Sequence, residues 1–235
     1  MADLRARIEL AKLARELGVD EAQLGYLADA PANGLRELRR VTCAALSRRH
    51  EARATLLASA NQILPVAVAA KISEQALGAG PSARVASAME PEAAARLAAH
   101  LAPAFLADLA ARLDPTRVGA IVARLPDATV LDVAQRLLAA DDVVTLARFV
   151  AVVDPAIAAQ VAGRATGAEL LRIVLYAEDA AALGVLARRL PEAALVGMLE
   201  AADDEEYAVA VELLDGLDAA ARHRVLDQVE RPGRF

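Results

Sequence analysis

The sequence predicts an all-α fold, a helical N-terminal region of about 80 residues leading into an α-solenoid of short paired helices. Three observations carry this. The chain of 235 residues is 57% hydrophobic yet only 3% aromatic, with alanine near a quarter of the total, which is a helix-forming composition. From Pro91 onward a helix-stopping residue recurs about every twelve positions. Between the stops, apolar residues fall at i, i+3, i+4 and i+7, as in Val118, Ile121, Val122 and Leu125.

Taken in order, residues 1–30 read as two helices, Leu4 to about Leu17 and Glu21 to about Ala30, with Gly18 ending the first and Asp20 capping the second. Leu10, Leu13, Ala14 and Leu17 form the expected buried stripe. Ala14, Gly18 and Leu24 also fit helix-turn-helix spacing, but the would-be reading helix, Asp20 to Asp29, holds acids and no Arg or Lys. It would face phosphates with the wrong sign. Pro31-Ala32-Asn33-Gly34 is a turn cluster, after which Leu35 to about Leu64 runs as one long helix or two stacked ones. Pro65 then starts a helix over Val66 to Leu77. Gly78-Ala79-Gly80-Pro81-Ser82 is the expected boundary between the N-terminal region, residues 1–80, and the repeat domain, residues 81–230. Residues 231–235 read as a tail.

Across the repeat domain Pro91, Pro103, Pro115, Pro126, Asp141-Asp142, Pro155, Gly167, Glu178-Asp179, Pro191, Asp203-Asp204 and Asp218 mark successive helix starts. Proline suits the first helical turn, and aspartate caps orphan N–H groups. A ten-residue helix is only about 15 Å long and marginal alone, so each apolar stripe has to be buried against neighbours. A two-helix period near 24 residues is the mark of a stacked array.

The units Leu113-Asp114-Pro115 to Leu125-Pro126, Val153-Asp154-Pro155 to Ala165, and Leu190-Pro191-Glu192 to Glu200 resemble the N-terminal cytosolic domain of the magnesium transporter MgtE and the related repeats of the flagellar motor switch protein FliG. The resemblance covers about residues 90–228 and is one of pattern. It implies a right-handed solenoid and a regulatory or docking role. The regulatory pair and membrane domain of the transporter do not follow here, so transport itself is not implied.

Charge is unevenly spread. Residues 1–60 hold ten Lys/Arg against eight Asp/Glu, and residues 141–235 nine against seventeen, within a net charge of −6. The acidic half argues against nucleic acid and favours a basic partner. Arg36, Arg39, Arg40, Arg48, Arg49 and Arg53 form the most basic stretch, a candidate surface for an anionic partner, either a membrane or the acidic half of another copy. The leading expectation is a non-catalytic interaction module for a protein partner. The alternative, an apolar-ligand or membrane-surface binder, rests on a mean hydropathy of +0.33 and the uncharged run Ala54 to Ala70. That run falls short of the roughly 18 apolar residues of a spanning helix, and the single Cys43 and the charged N-terminus predict a cytoplasmic protein without disulfides. Val225 and Leu226 near the end of the array would suit homo-oligomerisation through an uncapped repeat.

No catalytic set is expected. His50, His100 and His223 are widely separated, and Cys43 and His50, seven apart on a helix, are offset by about 10.5 Å of rise. There is no Gly-rich phosphate loop or serine elbow. Asp203-Asp204-Glu205-Glu206 reads first as a cap with first-turn acids. The family resemblance implies a second role, in which Asp127, Asp154, Asp179 and Asp203, at alternate turns of the solenoid, line one edge and hold a divalent cation such as Mg²⁺.

Overall fold

The structure is a computed structural model that describes residues 4–61 and 64–229, with the side chains of residues 47–53, 60 and 61 left aside. The described residues form fifteen α-helices and no strand. They divide into two compact units, residues 1–124 and 125–235.

In the first unit α1 (Leu4–Leu17) ends where its sequence asks it to. Gly18 takes φ +66, the Val19 N–H donates to the Ala14 carbonyl at 3.0 Å and the Gly18 N–H to that of Arg15 at 3.2 Å, a left-handed stop that glycine adopts without a Cβ penalty. Asp20 then caps a 3-10 segment, Glu21–Leu27, accepting from the Ala22 N–H at 2.8 Å. The second predicted helix is thus a tighter, shorter turn, whose Leu24 packs on Leu13 and Ala14. The long helix is single: α2 (Ala32–Asn61) runs 30 residues. The helix predicted over 66–77 is α3 (Val66–Ile72) followed by one wide turn, Ser73–Leu77, in which the Gly78 N–H donates to the Ser73 carbonyl at 3.0 Å.

Gly78, at φ +72, lets α4 (Ala79–Ala88) begin at once, so the glycine-rich turn redirects the chain without ending the unit. Then follow α5 (Pro91–Ala98), α6 (Pro103–Ala110) and α7 (Pro115–Val122), each with proline at its first position. α4 packs on α2 and α6, and α3 and α7 both pack on α5. Ala69, Ala70, Ala83, Leu97, Leu101 and Leu109 share one core, so the segments on either side of Gly78 are packed together, and the compact units part instead after Arg124.

The second unit holds α8 (Asp127–Ala139), α9 (Val143–Phe149), α10 (Pro155–Ala162), α11 (Gly167–Tyr176), α12 (Ala180–Ala187), α13 (Glu192–Ala201), α14 (Asp204–Leu213) and α15 (Ala219–Gln228). Every one begins at or beside a predicted start. α9, α11, α13 and α15 pack in sequence, as do α8, α10, α12 and α14. Each helix therefore lies against the next but one, a repeat-like order with two layers, and the step is 24 residues from Val143 to Gly167 and from Ala180 to Asp204. Leu195, Met198, Leu199, Ala210, Leu214 and Val225 are no more than 1% exposed and form the centre of this core.

Two glycine pairs bring backbones into close approach, one in each layer. In the first, Gly167 at the start of α11 lies under Gly197 of α13, and a Cβ on Gly167 would fall on the Gly197 carbonyl oxygen. In the other, Gly216, in the 3-10 turn Leu214–Gly216 after α14, lies on Gly184 of α12. The Arg188 guanidinium, one turn past Gly184, donates to the Gly216 carbonyl at 2.8 Å.

Candidate functional site

Of the six arginines of the basic stretch, the three whose side chains are described each pair with a carboxylate. Arg36 and Arg39, at the start of α2, both pair with Glu9 of α1, with Arg36 Nε 3.3 Å from Oε1 and Arg39 Nε 3.2 Å from Oε2. Lys12 Nζ lies 3.4 Å from Oε1. Glu9 is 1% exposed and Lys12 4%, so a carboxylate and an ammonium both sit inside an alanine and leucine interface. Burial pushes the Glu9 carboxyl up, but Lys12, Arg39 and Arg36 outweigh it and hold it below the usual carboxylate range. The cluster locks the angle between α1 and α2 through charge-assisted hydrogen bonds.

Arg40 pairs with Glu37 on its own helix at 2.6 and 2.8 Å, its hydrogen bond lowering the Glu37 pKa and raising its own. The side chains of Arg48, Arg49 and Arg53 lie outside the described residues. Of the three arginines described, Arg36 is exposed and reaches over to the buried Glu9, Arg39 is largely covered beside it, and Arg40 makes a surface pair.

The four aspartates assigned to a cation by family resemblance stand at separate helix starts. Asp154 accepts from the Ala156 N–H at 2.7 Å, Asp179 from the Ala182 N–H at 2.9 Å, and Asp203 from those of Glu205 and Glu206 at 2.9 and 2.8 Å. Asp127 lies in the first turn of α8 behind Pro126. Among the described residues no group of three or more His, Cys, Asp or Glu gathers in a geometry that could hold a metal ion. Asp203 and Glu206 instead form a reciprocal capping box.

His100 Nδ1 lies 3.0 Å from the Arg96 carbonyl and His223 Nε2 3.1 Å from Asp227, each on its own exposed helix turn. His50 lies outside the described side chains. Cys43 is half-buried on α2.

Three further ties join helices two apart. Glu92 of α5 meets Arg124 after α7 at 2.8 Å, and Glu192 of α13 meets Arg224 of α15 at 2.6 Å. Asp141, in the turn before α9, pairs with Arg172 of α11. Glu92 is held below its usual range by a backbone N–H and by Arg124, and Arg172 above its own by the Asp141 hydrogen bond. Asp141 takes φ 57, an uncommon conformation for a residue with a Cβ, while its N–H and that of Asp142 close the end of α8 on the Leu138 and Leu137 carbonyls.

The exposed apolar side chains are where the two units differ most. Among the described residues every exposed large hydrophobic lies between Leu17 and Ile72, led by Tyr26 at 79% and Leu56 at 72%. On α2, Leu38 and Leu56 are five helical turns apart at the same azimuth, with exposed Val41 and Ala45 within about 60° of that line. On α3 the exposed pair is Val68 and Ile72, at i and i+4, and Leu64 is exposed just before the helix. The uncharged run Ala54 to Ala70 marked part of this surface in the sequence. The burial of Glu9 and Lys12 left no such mark, because it depends on residues about thirty positions away.

Among the described residues no helix is long and apolar enough to cross a membrane. No protein-family model, curated protein or solved structure matches the chain.

Proposed function

We propose that this chain is a non-catalytic interaction module of the helical-repeat class, in which each unit is a stretch of right-handed α-solenoid of the kind its Leu-Pro and Leu-Asp-Pro units resemble, and that its work is to hold a protein partner. The observation that carries this reading is the stacking of each helix of the second unit on the next but one, in two rows at steps of 24 to 28 residues, one row tied by ion pairs. Arrays of this construction present a rigid, extended surface, and function on them lies in what that surface binds.

The acidic second unit is the surface offered. Residues 141–235 carry nine Lys/Arg against seventeen Asp/Glu, which favours a partner with a basic face and speeds its encounter. The experiment uses the whole chain as bait in lysate of its source, with a carboxylate-reactive cross-linker. One protein enriched over a charge-matched control and linked to acidic residues of 125–229 is expected. Enrichment of nothing, or links spread evenly over both units, sinks the reading.

A further inference from the structure

We propose that the corner made by the end of α2 and by α3 seats on an anionic lipid bilayer, at its surface and without crossing it. Leu56 and Leu57 on the last turns of α2, then Leu64 just before α3 and Val68 and Ile72 along one face of it, are 38 to 72% exposed, and a link of four residues joins the two helices. Five large aliphatic side chains exposed within seventeen residues exceed the scatter of single apolar residues normal on a protein surface.

Charge chooses the occupant. Between Glu51 and Glu74 the only charged residues are Arg53 and Lys71. Lys71 is exposed on the same face of α3 as Val68 and Ile72. Lys71 is the one charged residue of α3, and an aliphatic face that carries a cation matches the boundary between acyl chains and anionic headgroups. A second copy fits less well. A two-fold contact through the exposed face of α3 would set Lys71 of one copy near Lys71 of the other. The acidic second unit, for its part, exposes no large hydrophobic among the described residues. A protein partner would be expected to find the Trp, Tyr or Arg anchors typical of well-packed contacts, and this patch is aliphatic throughout. A fluid surface asks for no such complementarity.

This inference is independent of the protein-partner reading and can fail without it. The test is flotation of the full chain with vesicles of phosphatidylcholine alone, and with vesicles containing about 30 mol% phosphatidylglycerol, an anionic fraction sufficient for surface attraction. Binding to the anionic vesicles and not the neutral ones, weakened by added salt, is expected. Leu56→Asp with Val68→Asp should lower the partition at least about tenfold, and Lys71→Glu by roughly tenfold while leaving the apolar patch intact. All three positions are exposed, and an unchanged helical circular-dichroism spectrum certifies the fold of each variant. Flotation with neither vesicle, equal flotation with both, or anionic binding untouched by the substitutions overturns the proposal. So does a concentration-dependent dimer in sedimentation that Val68→Asp abolishes, since a second copy would then cover the patch.

Discussion

Gly216 lies so close to Gly184 that a Cβ built on Gly216 would stand 2.6 Å from the Gly184 Cα, whereas a Cβ on Gly184 would stand 3.6 Å from Gly216. The pair is asymmetric, and so is the other crossing: a Cβ on Gly167 would fall on the Gly197 backbone, while one on Gly197 would stand 3.9 Å from Gly167. Gly216→Ala and Gly167→Ala should each destabilise the protein by about 1–3 kcal/mol or more, because backbone has to move. Gly184→Ala and Gly197→Ala lie inside helices with ordinary contact and should stabilise by about 0.5–1 kcal/mol. Urea denaturation of the four variants checks this, and equal losses within each pair would contradict it.

Glu9 should govern much of the acid stability of the first unit. Its pKa is depressed in the fold, so its contribution is present above the ordinary value near 4.5 and is lost as pH falls through the depressed value. Glu9→Gln leaves Lys12 buried beside a neutral amide and should cost about 3–5 kcal/mol at pH 7. The gap between variant and wild type should narrow toward pH 3. Denaturation curves at both pH values read it, and a gap independent of pH would assign the cost to packing instead.

Gly18→Ala should cost about 1 kcal/mol although nothing lies within 4 Å of the new methyl, since the penalty comes from φ +66 alone. Gly18→Asn, which tolerates this conformation better, should recover part of the loss. The comparison of the two melting curves is the measurement.

Asp154→Ala should cost about 1 kcal/mol through loss of the cap on α10. If capping is the whole role of Asp154, Asp179 and Asp203, then millimolar Mg²⁺ should move the melting temperature by less than about 1 °C against a sodium control at equal ionic strength. A larger rise that Asp154→Ala and Asp179→Ala both remove would restore the cation reading.

The helix starts were legible because they are local. Proline at a first turn, or aspartate before one, acts on backbone within three residues, so Pro91, Pro103, Pro115, Asp142, Asp179 and Asp218 each stand at or next to the helix they announce. Burial was less legible. In α12, Ala180–Ala187, the sequence AAALGVLA is apolar all round and gives no side to the core, and alanine is at home on either face. Leu17 belongs to the predicted buried stripe yet is 37% exposed, while Glu9 and Lys12 on the same helix are covered. Their burial is settled by Arg36 and Arg39, which no local window contains. The pairing of those two arginines with Glu9 likewise has no signature in a run of basic residues.

The ion pairs between stacked helices span 31 or 32 residues, and those at Glu9 span 27 and 30. A chain emerging from the ribosome can therefore close each tie as soon as about thirty further residues have appeared, without waiting for its C-terminus. Low sequence separation of this kind favours rapid folding. It also means that a translational error in one helix pair stays with its immediate neighbours, and the rest of the row still has its own partners to fold against.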